Sequence, residues 1–402
     1  MSEVLERAYA QEIEKGYDYR RAMEEASRCL LCHDAPCSQS CPAASDPAKF
    51  IRSLRFKNIK GAAETLRENN ALAGTCARVC PYGRLCEEAC SRSGIDKPIN
   101  IGKIQRYLVE EEEAQGMRFI KAGEPNGKKV ACVGAGPASL ACARELARAG
   151  FAVTVYEAQE KAGGVLSFGI IPSRLPQDVV DFDIKTITDA GVVIKYGEAI
   201  GADGIAALKK EYDAVFVGVG LWQSKMVDIP GTDLEGVESA IDFLKKARTG
   251  EMTELPDNVF VVGGGDVAMD CVTTAKQLGA KNAAIVYRRT IAEAPADMDE
   301  VKLVQSMGIP MYTQFAPKAI HGQDGRVAFF ETAGRDGESS MTLKADMVVF
   351  AIGQELAADY TGFELGEGIF TGGDMAHGKG ATVVEAVADG KAAAEKIQEY
   401  LG

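Results

Sequence analysis

Eight of the chain's 11 cysteines fall within its first 90 residues, in two groups: Cys29, Cys32, Cys37 and Cys41, then Cys76, Cys80, Cys86 and Cys90. The first group is spaced C-x2-C-x4-C-x3-C-P, and the last three members of the second run C-P-x4-C-x3-C. Thiolates repeated at such short gaps, with Pro42 and Pro81 directly after a cysteine, suit iron–sulfur ligation. Three other readings compete. A disulfide framework needs an oxidising compartment, yet the opening MSEVLERAYAQEIEKG is charged throughout and lacks the apolar core of a secretory signal, so a cytoplasmic protein is expected. Structural zinc uses similar spacings. Buried, unligated thiols are the last alternative, and so many cysteines at ligand spacing in one short stretch speak against coincidence.

A chain of 402 residues has room for two or three domains, each with its own core. No apolar run approaches the roughly 18 to 20 residues of a membrane span. The net charge of −13 argues against nucleic acid as a partner. With only His33, His321 and His377 present, histidine-based metal or triad chemistry has little scope. Residues 1–120 read as helices interrupted by the cysteine loops. The stretch 47–70 carries Phe50, Ile51, Leu54, Ile59 and Leu66 at helical spacing, and a second helix is expected over 101–115. That helix ends in the acidic run 110–113, most simply a solvated face. Residues 121–128 (KAGEPNGK) read as a linker.

From Lys129 short apolar strands alternate with helices, the pattern of a parallel α/β sheet. Two stretches, 129–157 and 258–289, share one punctuation of strand, glycine turn, helix and strand, which suggests two nucleotide-binding domains. In the first, Gly134 and Gly136 open a G-x-G-x-x-S turn and Glu157 ends the next strand. Glycine permits the tight turn and lets backbone approach a pyrophosphate at the helix N-terminus, while the carboxylate suits a ribose diol. Ser139 takes the third glycine position and is small enough for close helix–strand packing. The second unit has Gly263, Gly265 and Ala268 in the fingerprint positions and ends in Tyr287-Arg288-Arg289. Arginine there suits the 2′-phosphate of NADP(H), which is favoured with NADH held open; a surface pair serving solubility is the plainer alternative. In the segment 369–397, Gly373 and Asp374 follow a strand and Thr382 heads a helix. Asp374 suits a ribitol hydroxyl and the helix N-terminus a flavin ring, against an ordinary exit from the sheet.

Taken together, these residues resemble the flavin and iron–sulfur electron-input module shared by glutamate synthase small subunits and dihydropyrimidine dehydrogenases, over nearly the whole chain. The stretches EASRCLLCHDAPCSQSCPA (25–43), RENNALAGTCARVCP (67–81), PINIGKIQRYL (98–108) and GAGPAS (134–139) carry the resemblance. The match is closer to the dihydropyrimidine dehydrogenase branch. Ser139 has that branch's form, and five residues separate Cys80 from Cys86 where glutamate synthase small subunits usually have three. The resemblance implies that Cys29, Cys32, Cys37 and Cys90 hold one 4Fe–4S cluster. Cys41, Cys80, Cys86 and an unusual glutamine ligand, Gln105, hold the other, which leaves Cys76 as a packed thiol. It implies FAD contacts from Ala135, Gly136, Pro137, Ala138, Ser139, Glu157, Gly164, Val165, Arg174, Gly373, Asp374 and Thr382. It implies nicotinamide-nucleotide contacts from Gly264, Gly265, Asp266, Val267, Arg288, Arg289, Ala351, Ile352 and Gly353. One further arginine of the family is replaced around Glu293.

The expected architecture is α/β with an N-terminal α-helical iron–sulfur domain (1–120) and two Rossmann-like domains of the glutathione/adrenodoxin reductase type. FAD belongs to 128–235 and 351–402, NAD(P)H to 236–350. A hydride from NAD(P)H to FAD, followed by single electrons through the clusters, needs no catalytic acid, base or nucleophile from the protein. The chain ends at Gly402, with no room for an FMN-binding barrel. A separate FMN-containing iron–sulfur catalytic subunit is therefore expected, in a hetero-oligomer (a heterotetramer) that reduces uracil and thymine to their 5,6-dihydro forms. Glutamate synthase or a ferredoxin-linked NADPH oxidoreductase is the rival client, disfavoured by Gln105, where those relatives usually carry an acidic residue. A zinc-stabilised assembly subunit with vestigial nucleotide sites is the rival from another class.

Overall fold

The computed structural model describes residues 9, 11–360 and 365–402, so most of the charged opening lies outside the described residues. The cysteine-rich region is helical between its loops. Helix α1 (Tyr19–Ser27) starts at Asp18, whose carboxylate accepts from the Arg21 amide at 2.8 Å. The apolar stretch 47–70 forms two helices, α2 (Pro47–Arg55) and α3 (Ile59–Asn69). The break has a local cause: Asn58 caps α3 through the Gly61 amide, 2.9 Å away, and Lys57 before it takes the left-handed φ of 63°. Helices α4 (Ala73–Val79) and α5 (Ile101–Ala114) complete the region. Its core is Phe50, Ile51, Leu54, Leu66, Ile104 and Leu108, all buried.

The first nucleotide fold runs β1 (Lys129–Val133), α6 (Pro137–Arg148), β2 (Ala152–Glu157), α7 (Gln177–Thr188), β3 (Val193–Tyr196), α8 (Ala202–Glu211) and β4 (Ala214–Val217). The second runs β5 (Val237–Ser239), α9 (Ala240–Thr249), β6 (Asn258–Val262), α10 (Asp266–Gln277), β7 (Asn282–Tyr287), α11 (Met298–Ser306) and β8 (Met311–Thr313). An antiparallel meander, β9 (Phe315–Gln323), β10 (Arg326–Gly334) and β11 (Ser340–Lys344), leads to β12 (Met347–Phe350). The chain then returns to the first fold as β13 (Ile369–Thr371) and α12 (Val383–Leu401). The two parallel sheets have the orders β3-β2-β1-β4-β13 and β8-β7-β6-β12-β5. In each, strand order reverses beside the strand that precedes the glycine turn, which opens a crevice beyond that strand's C-terminal end.

The chain divides into two compact units. One holds Phe168–Ser173 and Leu221–Glu355, with the described residues up to Ile13. The other holds Glu14–Ser167, Arg174–Gly220 and Leu356–Gly402, so the cysteine-rich helices and the first nucleotide fold belong to a single body. A buried charge cluster joins them. Arg67 of α3, fully buried, donates to Glu112 of α5 at 2.8 Å, to Asp183 of α7 at 2.7 Å and to the Ala71 carbonyl at 3.0 Å. Asp183 also accepts from the Gly74 and Thr75 amides at 3.1 and 2.7 Å, so a side chain of the nucleotide fold caps α4. Arg144 of α6 donates to the Arg67 and Glu68 carbonyls, and Lys391 of α12 to those of Ala43 and Asn69. The acidic run 110–113 is therefore not a solvated face throughout. Glu112 is 2% exposed because Arg67 sits inside, and a buried guanidinium without a carboxylate would cost several kcal/mol, roughly 3–5.

Candidate cluster and dinucleotide sites

All 11 cysteines are free thiols. Burial is the main effect raising the Cys29 and Cys37 thiols, Cys37 to about 11; next come their neighbours, Cys32 and Cys90 for Cys29, Cys90 and Cys29 for Cys37. Burial likewise pushes Cys80 well up, with the Cys76, Cys86 and Cys41 thiols as its neighbours. Cys86 is raised by burial, then by Glu87, Cys41 and Cys37. Cys90 of the second sequence group thus acts on Cys29 and Cys37 of the first, and Cys41 of the first acts on Cys76, Cys80 and Cys86 of the second, with Cys37 also acting on Cys86. Among the described residues, no three His, Cys, Asp or Glu side chains converge on the position of a single ion. A four-iron cube spreads its thiolates over separate corners, and thiols on or beside short loops, half-buried in the first group and with Cys86 buried in the second, fit that group. Thiols raised this far are protonated near neutral pH, so binding iron expels their protons.

The motif PINIG-x-x-Q has a structural account. Gly102 lies where any Cβ would strike the Tyr82 ring, and Tyr82, from the loop between Cys80 and Cys86, donates to the Cys76 carbonyl. Three residues on, Gln105 is 5% exposed and its amide nitrogen donates to the Ala73 carbonyl at 2.8 Å. That bond fixes the amide plane and turns its oxygen, an available ligand atom, to the other side. Cys76 itself is buried, 2% exposed, in α4.

The first dinucleotide cradle lies at the C-terminal end of β1. Gly134 has φ 86°, and a Cβ there would come within 2.9 Å of the Gly218 carbonyl at the exit of β4. Gly136 is the N-cap of α6 and offers no side-chain cap, so the first amides of Pro137–Arg148 remain open to a ligand, as a pyrophosphate requires. Gly164 faces Gly136 backbone to backbone, and the Gly163 amide donates to the Ala135 carbonyl at 2.8 Å. Val165 follows on the exposed side, while Ala135, Ala138 and Ser139 are buried. Glu157 accepts from the Ala135 amide at 2.7 Å and the Gln159 amide at 2.8 Å; burial raises its carboxyl, opposed by those amides. Arg174 is half-buried at the entry to α7. On the return segment, Asp374 accepts from the Ala381 amide at 2.8 Å, and Thr382 and Glu385 form a reciprocal capping box. A bare α6 N-terminus beside two backbone-only turns and a strand-end carboxylate fits FAD.

The second cradle repeats this construction. Gly263 cannot carry a Cβ because the Ala351 carbonyl, at the exit of β12, occupies the space. Gly265 is the uncapped N-cap of α10, which begins with Asp266 and Val267, and Gly264 lies flat against the Tyr287 ring. Ile352 and Gly353 are exposed beyond β12, and Arg288 and Arg289 are exposed beyond β7. This arrangement fits a nicotinamide dinucleotide.

The comparisons agree with both halves. The family model for dihydropyrimidine dehydrogenase domain II, 4Fe-4S cluster, matches residues 6–117, and that for pyridine nucleotide-disulphide oxidoreductase matches 128–390. A Salmonella typhi protein named NAD-dependent dihydropyrimidine dehydrogenase subunit PreT homolog is 43% identical over 410 residues, covering 98% of this chain and 97% of its own length. The chain belongs to the PreT family. The Escherichia coli K12 member is 41% identical over 409 residues, with the same coverage. The two-domain fold resembles that of Mycobacterium tuberculosis FprA solved with NADPH (TM-score 0.58, 17% identity, 69% of this chain and 85% of that one). As a member of the PreT family the chain is an oxidoreductase that joins a 4Fe–4S module to a flavin- and nicotinamide-binding module. No described helix is long and apolar enough to cross a membrane.

Sequence reasoning missed Asp389, which accepts from the Gly373 amide at 3.1 Å and from His377 at 2.8 Å and so shapes the turn before Asp374. The available signal was Gly390. A glycine inside a helical pattern marks close backbone approach, and a Cβ there would run into the Ala138 carbonyl.

Proposed function

We propose that the chain is the electron-input subunit of a dihydropyrimidine dehydrogenase. It draws on NADH or NADPH and serves a separate FMN-containing iron–sulfur subunit, which interconverts uracil or thymine and the 5,6-dihydropyrimidines, in a cytoplasmic hetero-oligomer. The observation that carries this reading is that the quartet-bearing helices and the flavin-type cradle form one body, joined through Arg67 and Asp183. The pyrimidine substrate rests on the names of the PreT relatives. When bound, the nicotinamide supplies a hydride, the flavin takes the pair and the clusters carry single electrons onward.

The chain's own residues position these groups. Cys29, Cys32, Cys37 and Cys90 hold one cluster, and Cys41, Cys80, Cys86 and Gln105 the second, with Cys76 left as a buried thiol. Gly136–Ser139 present the α6 amides to the FAD pyrophosphate. Glu157 takes the ribose diol, Asp374 a ribitol hydroxyl, and Ala135, Gly164, Val165, Arg174, Gly373 and Thr382 line the remainder. Gly264, Gly265, Asp266 and Val267 receive the second pyrophosphate, Ala351, Ile352 and Gly353 border the nicotinamide side, and Arg288 and Arg289 face the adenosine ribose. The free thiols suit a reducing compartment.

The test is purification of the chain alone, then with an FMN-containing iron–sulfur partner. Alone, it should be yellow-brown, with flavin bands over a broad iron–sulfur shoulder, and should reduce dyes with NADH or NADPH but leave uracil untouched. With the partner, uracil should be reduced. Uracil turnover without any partner would overturn the subunit reading. Activity on glutamine plus 2-oxoglutarate in place of uracil would overturn the pyrimidine one, and a colourless zinc protein would overturn both.

A further inference from the structure

The turn that follows Arg288 and Arg289 carries an acidic residue onto the second cradle. Tyr287 ends β7, and its hydroxyl donates to the Glu293 carbonyl at 3.0 Å. The segment then folds back over the glycine turn: the Ala296 amide donates to the Gly264 carbonyl at 3.1 Å, and the Asp297 amide to the Asp266 carboxylate at 2.6 Å. Glu293 is thereby placed beside the strand end that faces the adenosine ribose in this fold. Its carboxylate accepts from the Thr290 amide at 3.0 Å, the Thr290 hydroxyl at 2.8 Å and the Arg335 guanidinium at 3.2 Å. Thr290 and then Arg335 hold that carboxyl below its usual range, so it is charged near neutral pH.

Arg335 arrives from the turn between β10 and β11, and its position is also fixed. Its amide donates to the Gln314 carbonyl at 2.8 Å, and the Gln314 amide donates to the Arg289 carbonyl at 3.0 Å. Three arginines and one carboxylate therefore share the end of β7. The carboxylate occupies one of the arginines and adds a negative charge where a 2′-phosphate, itself carrying about −1.5 to −2, would have to enter. The bare ribose of NADH meets no such opposition.

We propose that the Glu293–Arg335 pair is the device that disfavours the 2′-phosphate at the end of β7, although Arg288 and Arg289 alone would suit NADPH. This rests on the reading of the second fold as the nicotinamide-nucleotide site. Glu293→Gln removes the charge yet keeps a side chain able to accept the Thr290 amide bond. It frees Arg335 to join the other two arginines around a phosphate.

Calorimetric titration of the holoprotein with NAD+ and NADP+, beside kcat/KM for NADH and NADPH, tests the idea. The wild type should prefer NAD+, and added salt should narrow that preference by screening the exposed charges. E293Q should shift the NADP+ to NAD+ affinity ratio by roughly tenfold in favour of NADP+, about 1.4 kcal/mol. E293Q with R335A should lose most of that gain, keeping only what lifting the negative charge supplies, and T290A, which removes only the hydroxyl cap, should leave the ratio near wild type. An E293Q ratio equal to wild type, a gain undiminished by R335A, or a T290A shift as large as that of E293Q would each overturn the proposal. A wild-type chain that binds neither nucleotide would instead overturn the underlying assignment of the second fold.

Discussion

Glu157 uses one carboxylate to receive two backbone amides, those of Ala135 and Gln159. A carboxamide has only one accepting oxygen, so Glu157→Gln sets an N–H against an N–H at one of these contacts. The mismatch costs about 1–3 kcal/mol, and FAD retention should fall by roughly tenfold or more; the flavin-to-protein ratio after desalting measures it, and an undiminished ratio would remove Glu157 from the FAD site. For Arg288 and Arg289, alanine at both should weaken NADPH far more than NADH, and equal losses would discard the phosphate role. Such positions were legible in the sequence because the backbone geometry admits few residue types. Gly134 must tolerate a positive φ, and Gly263 must lack a Cβ. Arg67 and Asp183 were not legible. Each is one charged residue in a helix, and nothing in the sequence links two positions brought together only by the packing of α3 against α7.

At the level of elements, α4 carries Cys76 and ends at Cys80, and α5 supplies Gln105, whose amide reaches the Ala73 carbonyl at the start of α4. If Gln105 is a ligand, Gln105→Ala should disturb one cluster and spare the other, seen as an altered iron count and changed low-temperature EPR; an unchanged count of irons would refute the assignment. Cys76→Ser should leave both clusters in place. Removing the Arg67 guanidinium leaves Glu112 and Asp183 buried without their counter-ion. Arg67→Ala should therefore destabilise this unit by roughly 3–5 kcal/mol in chemical denaturation; a change under about 1 kcal/mol, the range of an exposed pair, would show that the charges are not held as described. Periodicity identified the helices over 47–70 and 101–114 but misread two details for physical reasons. Asn58 supplies a cap that splits the first stretch, and a helix pattern of charges does not tell a solvated carboxylate from one turned inward to a buried arginine.

For the whole molecule, the alternation of strands and helices and the doubled glycine fingerprint announced two nucleotide folds, and the cysteine spacing announced the cluster region. The division into bodies was hidden, because it depends on Arg144 and Lys391 reaching backbone carbonyls far away in sequence. The shared body has a measurable outcome. Chelating iron from the holoprotein should loosen the flavin half as well, so on heating, bleaching of the clusters and release of FAD should come in one transition. FAD that stays bound after the cluster colour has gone would contradict this.

For anyone building chimaeras from such modules, the seam matters more than the motifs. Residues 14–120 are not a cassette: Arg144 of α6, Asp183 of α7 and Lys391 of α12 supply polar partners within them. A graft that carries the cysteines but leaves Asp183, Arg144 and Lys391 behind would bring a buried cation with only one of its two counter-ions and a helix without its cap. The smallest transplantable part is the cluster helices together with the first nucleotide fold and its returning C-terminal helix.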